Sequence, residues 1–133
     1  MRYILDLDSR AHIGANEYEK VSMFPICDRV RQLKLNHMFR IKIGQCPEYL
    51  KTKYTLIGDT DQGIRTRASR NNFFLPRVVN QGTYTFRFSA IKEWNRLPTN
   101  IKDLTNSDSF KTSLKGHILS QLKDNEQSEF LYY

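Results

Sequence analysis

The apolar positions Val30, Leu33 and Ile41, with His37 completing the stripe and Met38 beside it, recur every three to four residues. That spacing predicts an amphipathic helix starting around Cys27 to Asp28. Pro25 stands just ahead of it, Asp28 suits the positive end of the first turn, and Gly44 occupies the position of a C-terminal cap. Arg29, Arg31, Lys34, Arg40 and Lys42 decorate the sides and read as a solvated face, which puts His37 at the edge of a core. Upstream, Ile4, Leu5 and Leu7 form a short apolar stretch, and residues 17–24 make a helical turn stopped near Pro25. Pro47 opens a short helical segment over residues 48–53, because a proline at the first helical position loses no needed hydrogen bond.

From Tyr54 to Asn72 the periodicity disappears. Gly58, Gly63 and the Asp59-Thr60-Asp61 cluster predict a loop that carries Arg65, Arg67 and Arg70 on it or at its exit. Strand signals follow: Phe73-Phe74-Leu75 before Pro76, Val78-Val79, the turn residues Asn80-Gln81-Gly82, and a run in which Tyr84, Phe86 and Phe88 alternate with Thr83, Thr85 and Arg87. The aromatic face of that run is either a stacking platform for unpaired bases or the inner face of a hairpin. The core reading is favoured, because three large rings are costly to leave in water. Residues 90–97 predict a two-turn helix with Ile91, Trp94 and Leu97 on one side, ended by Pro98. A last helix capped by Ser107 or Asp108 carries Phe110, Leu114, Ile118 and Leu122 every four residues, with Lys111, Lys115 and Lys123 off the stripe and a tail from Asp124 that frays. The expected fold class is α+β: N-terminal helices over residues 1–62, then a basic β-hairpin or small antiparallel sheet and two C-terminal helices over residues 63–133, sharing one core.

At 133 residues the chain has room for one modest core, and at 39% hydrophobic and 26% charged it has the composition of a folded, polar segment. No apolar run reaches the roughly 18 residues that span a bilayer, and residues 1–8 lack a signal-peptide core, so no membrane partner and an intracellular location are expected. Cys27 and Cys46 have no Cys or His at zinc-ligand spacing and read as free thiols; His12, His37 and His117 stand alone. No metal, cofactor or small-molecule substrate is expected, and no Ser/His/Asp or Cys/His arrangement or phosphate-cradling glycine loop stands out.

The formal charge of +7 is unevenly placed: residues 1–62 carry +2, residues 63–102 carry +7 and residues 103–133 carry −2. Arg65, Arg67, Arg70, Arg77, Arg87, Lys92 and Arg96 make up most of the middle excess, and arginine offers phosphates a planar fork of two donors. These seven are the candidate nucleic-acid contacts. The bland alternative is a solvated basic surface.

Residues 86–98, Phe-Arg-Phe-Ser-Ala-Ile-Lys-Glu-Trp-Asn-Arg-Leu-Pro, followed by Ser109-Phe110-Lys111 and Leu114-Lys115, resemble the C-terminal end of non-LTR (LINE-type) retrotransposon reverse transcriptases, above all the jockey-like and chicken-repeat-like groups. Phe86, Phe88, Ala90, Trp94, Asn95, Leu97 and Pro98 fill the fixed positions of that motif, and Pro76-Arg77 is similar to the Pro-Arg upstream of it. Phe24-Pro25-Ile26, Arg29-Val30, Gly44, Cys46-Pro47, Tyr49 and Leu50 echo an earlier family motif, so the resemblance covers about residues 12–120. It implies a region beyond the polymerase thumb, without the palm aspartates, the endonuclease or a zinc knuckle. Asp6 and Asp8 lack the second carboxylate cluster of a two-metal site and read as surface residues.

The resemblance therefore implies a non-catalytic accessory segment, truncated or excised from the polymerase, that holds template RNA or target DNA within a nuclear or cytoplasmic ribonucleoprotein. The alternative is a structural or protein-interaction module that docks on the reverse transcriptase core, or a host-retained remnant. Phe86, Phe88, Trp94, Leu97, Pro98 and Phe110 are the expected structural anchors, with Trp94 tying the arginine-rich third to the last helix.

Overall fold

The computed structural model describes residues 3–60, 66 and 69–131, so Arg65 and Arg67 lie outside the described residues. Six α-helices are present among them: α1 (Ala15–Val21), α2 (Ile26–Lys42), α3 (Glu48–Lys51), α4 (Phe86–Asn95), α5 (Thr99–Lys102) and α6 (Ser107–Leu131). The described residues contain no β-strand, only an isolated antiparallel bridge between Leu56 and Phe73. The expected α+β class is thus corrected to a helical fold.

The predicted aromatic strand over residues 83–88 is the end of a 3-10 turn, Asn80–Tyr84, and the first turn of α4. Two local features account for this. Thr85, extended at φ −66° and ψ 147°, turns its hydroxyl to accept from the Phe88 amide and so caps α4. Phe86 also stands four residues before Ala90 and eight before Trp94, in phase with the buried face Ala90, Ile91 and Trp94. The alternation of rings that suggested a strand is a coincidence of spacing, and a lone two-stranded hairpin is marginally stable in water.

Helix α2 begins and ends where the sequence places it. Gly44, at φ +78°, is the left-handed residue after its last turn, and the Gln45 amide donates back to the Arg40 carbonyl at 2.9 Å. Its buried face overlaps the predicted one only in part: Ile41 and the flanking Met38 are buried as expected, together with Gln32, Leu35 and Phe39, while Val30 and Leu33 are 46% and 52% exposed. Leu33 and Leu35 sit about 160° apart round the helix, since they differ by two residues. Packing chooses between them. The Phe39 ring stacks on Phe110 of α6 with centroids 4.1 Å apart, while α2 also packs along α4.

The core comprises Leu35, Met38, Phe39, Phe73, Ile91, Trp94, Leu97, Ile101, Phe110, Leu114 and Ile118 with their small neighbours, drawn from both sides of residue 62. Trp94 sits at its centre, 5.8 Å from the rings of both Phe73 and Phe110. Pro98, predicted to stop a helix, also starts the short α5, where it stands at the N-cap. Asn106 caps α6 through its side-chain oxygen, which accepts from the Asp108 and Ser109 amides.

The segment expected to fray instead continues α6 to Leu131 and holds α1. Glu126 accepts the Ala15 amide at 2.6 Å, and Lys123 pairs with Glu19 at 2.7 Å. A carboxylate at the first amides of α1 satisfies donors that the helix itself leaves open.

Gly116 lies on the exposed side of α6, and a β-carbon built there meets nothing within 4 Å. Gly116→Ala will therefore stabilise the fold by about 0.5–1 kcal/mol through helix propensity. A rise of a few degrees in the melting temperature, read by circular dichroism, is the expected result.

Candidate nucleic-acid interface

Residues 55–58 and 70–74 run alongside each other and form the neck of the arginine-rich loop. The Ile57 amide donates to Asn72 O at 2.9 Å, Gly58 to Arg70 O at 3.1 Å, and Phe74 to Thr55 O at 2.7 Å. Gly58 is needed here, because a β-carbon would stand 2.8 Å from Arg70 O.

The Trp-Asn pair of α4 grips one side of this neck. Trp94 Nε1 donates to Asn71 O at 2.8 Å. Asn95 pairs with Phe73 as another backbone would, its Oδ1 accepting from Phe73 N and its Nδ2 donating to Phe73 O, both at 3.0 Å. Lys102 of α5, only 3% exposed, donates to the Asn72 side chain. Lys42 of α2 in turn donates to the carbonyls of Lys102 and Leu104. Burial pushes both ammonium groups below the usual lysine range, partly opposed by the Asp103 carboxylate.

This clamp places the expected anchors. Trp94, Leu97 and Phe110 are buried, Phe88 is half-buried, Pro98 is exposed at the cap of α5, and Phe86 is 49% exposed. Sequence reasoning gave Asn71, Asn72 and Lys102 no structural role and named Asn95 only as a motif position. Their role depends on partners far away in the chain, and the only local signal was Asn95 standing beside Trp94.

The five described basic candidates, Arg70, Arg77, Arg87, Lys92 and Arg96, are all exposed. They do not form one face. On α4, Lys92 and Arg96 lie about 140° and 180° round the axis from Arg87. Arg96 stands 4.0 Å from Glu93, which also pairs with Arg31 at 2.9 Å, and these residues line a polar groove with Gln121, Asp124 and Asn125. Arg96 thus sits by a mixed-charge groove of α2, α4 and α6, where carboxylates compete for it.

Arg87 belongs to a different surface. Its guanidinium lies 5.8 Å from the centroid of Tyr54, within cation–π range. His37 meets Tyr54 edge-on at 6.5 Å and Phe86 at 5.4 Å. Burial, with Arg40 nearby, pushes the His37 imidazole below the ordinary histidine range. Burial likewise raises the Tyr54 phenol, against the pull of Arg87. Around this cluster Phe74 is 60% exposed, Val79 81% and Tyr84 88%. Of the aromatic face expected in a hairpin core, Tyr84 and Phe86 are therefore on the surface, while Phe88 is half-buried.

No group of His, Cys, Asp and Glu side chains among the described residues could hold a metal ion, and no described helix is long and apolar enough to cross a membrane. Cys27 is exposed and Cys46 half-buried, both as free thiols. Comparison with protein-family models, curated proteins and solved structures finds no match to this chain.

Proposed function

We propose that this chain is a non-catalytic nucleic-acid-binding segment, akin to the C-terminal accessory region of a non-LTR retrotransposon reverse transcriptase, that holds template RNA or target DNA by its phosphates. The observation that carries the reading is the charge excess of residues 63–102, whose described arginines stand exposed, Arg87 directly after the exposed Phe86. Among the described residues, Arg96 alone of the five basic candidates has a carboxylate within 4.0 Å, which leaves Arg70, Arg77, Arg87 and Lys92 available to phosphates. The motif residues Trp94 and Asn95 give the resemblance a physical role, since they hold the neck of the loop that presents Arg70.

A salt titration tests the reading. RNA and single-stranded DNA will bind at about 50 mM salt and lose affinity log-linearly as salt rises, because each neutralised phosphate releases counterions. Replacing Arg77 and Arg87 by alanine will lower the slope by about one for each phosphate contact removed. Absence of binding at low salt, or binding indifferent to salt, overturns it.

A second reading has its own observation. Ile26, Val30 and Leu33 form an exposed apolar stripe on α2, with Met23 exposed just before it. On this reading the stripe docks on a polymerase core, and the isolated chain self-associates. Light scattering that finds a monomer at high concentration counts against it.

A further inference from the structure

His37, whose ring meets Phe86 edge-on, lines a pocket that the phosphate reading does not use. The pocket has a volume of about 240 Å³ and lies between α2 and the first turns of α6, lined by Leu33, Asn36, His37, Arg40, Phe110 and Lys111 among others. His37 joins the two surfaces, because its ring forms part of the pocket lining and also meets Phe86 edge-on. The pocket is small for a drug-sized ligand but has room for one nucleobase. Its apolar lining comes from Leu33 and the Phe39–Phe110 stack, its cations are the exposed Arg40 and Lys111, and its amide is Asn36, whose Oδ1 is buried without a hydrogen-bond partner.

We propose that this surface takes unpaired nucleic acid: bases stack on Tyr84 and Phe86, and one base turns into the pocket behind His37, with Arg40, Lys111 and Arg87 on the flanking phosphates. The proposal rests on the phosphate-binding reading and narrows it to single strands. Three observations favour a strand over a duplex. Tyr84, at 88% exposure, and Phe86, at 49%, offer ring faces, and a ring face can stack only on a base that has left its own stack. The cations are dispersed, Arg87 on the first turn of α4 and Arg40 and Lys111 at the pocket on α2 and α6, instead of aligned along one helix. The pocket that His37 lines, with Phe86 against its ring, is sized for a single base.

The experiment compares three labelled probes with the full chain at fixed salt, by fluorescence anisotropy: an oligothymidine strand, an abasic strand of the same length and charge, and a duplex of that length. The oligothymidine strand is expected to bind at least about tenfold tighter than the other two. Tyr84→Ala and the double variant Tyr84→Ala/Phe86→Ala will erase that preference, with a loss on the order of five- to a hundredfold for the strand and an unchanged salt slope. Tyr84→Phe will keep it. Tyr84 is so exposed that its removal leaves the melting temperature in place, which separates lost stacking from lost folding.

Equal binding of all three probes with a steep salt slope overturns the stacking proposal and leaves the phosphate reading standing. No salt-dependent binding to any probe overturns both.

Discussion

Trp94→Ala will destabilise the fold by about 3–5 kcal/mol, the range for emptying a buried large aromatic site, and will lower the melting temperature by ten degrees or more. Trp94 is fully buried, so its removal opens a cavity between Phe73 and Phe110, the two rings it separates. It also strips the Asn71 carbonyl of its donor at 2.8 Å. Trp94→Phe separates the two effects. Phenylalanine refills most of the volume but cannot donate, and a cost of about 1–3 kcal/mol is then expected for the unpaired carbonyl and the remaining gap. Urea unfolding followed by circular dichroism gives both values. An Ala variant that melts with the wild type would mean that the core does not close around this ring.

Asn95→Ala is the second large effect, and its cause is polar. The side chain satisfies both backbone groups of Phe73 at 3.0 Å, and Phe73 is only 1% exposed. Removing it leaves a buried donor and a buried acceptor together, at roughly 1–3 kcal/mol each where water cannot enter. Asn95→Asp keeps the acceptor but loses the donor and adds a charge against the Phe73 carbonyl, so it will not rescue. Hydrogen exchange distinguishes this from a general loss of stability. The amides of Ile57, Gly58, Phe73 and Phe74, which close the neck, should lose protection before those of α2 and α6 do. Loss of protection at the same rate throughout would mean that the clamp does not act on the loop.

The neck, more than the loop, explains why a motif with one tryptophan carries so much of this fold. The paired segments 55–58 and 70–74 must be held at a defined place on the helices. Trp94, Asn95 and Lys102 do this from α4 and α5 by binding backbone and amide groups of three consecutive residues, Asn71 to Phe73. Stability of the core and placement of Arg70 are therefore linked. A substitution at Trp94 lowers stability first, and affinity for nucleic acid follows only through the displaced loop.

The sequence by itself determined the local elements whose signals are chemical. Pro47 and Gly44 mark the start of α3 and the end of α2, and the Phe110, Leu114 and Ile118 spacing marks α6, because a missing amide, a left-handed residue and a four-residue repeat act within one or two turns. The charge excess of the middle third was also plain from the residues alone. Tertiary structure decided what depends on partners. Residues 83–88 offered alternating rings to a strand and a capping threonine to a helix, and the α2–α4–α6 core settled the choice by taking Ala90, Ile91 and Trp94 as one face. Helix α2 offered more than one apolar face beside Met38 and Ile41, and packing on α6 and α4, with Phe39 stacked on Phe110, took Leu35 inward and left Val30 and Leu33 in water. Composition placed the basic residues in one third of the chain. Helix geometry then separated Arg87 from Lys92 and Arg96, because side chains five and nine residues apart point to different sides of a helix.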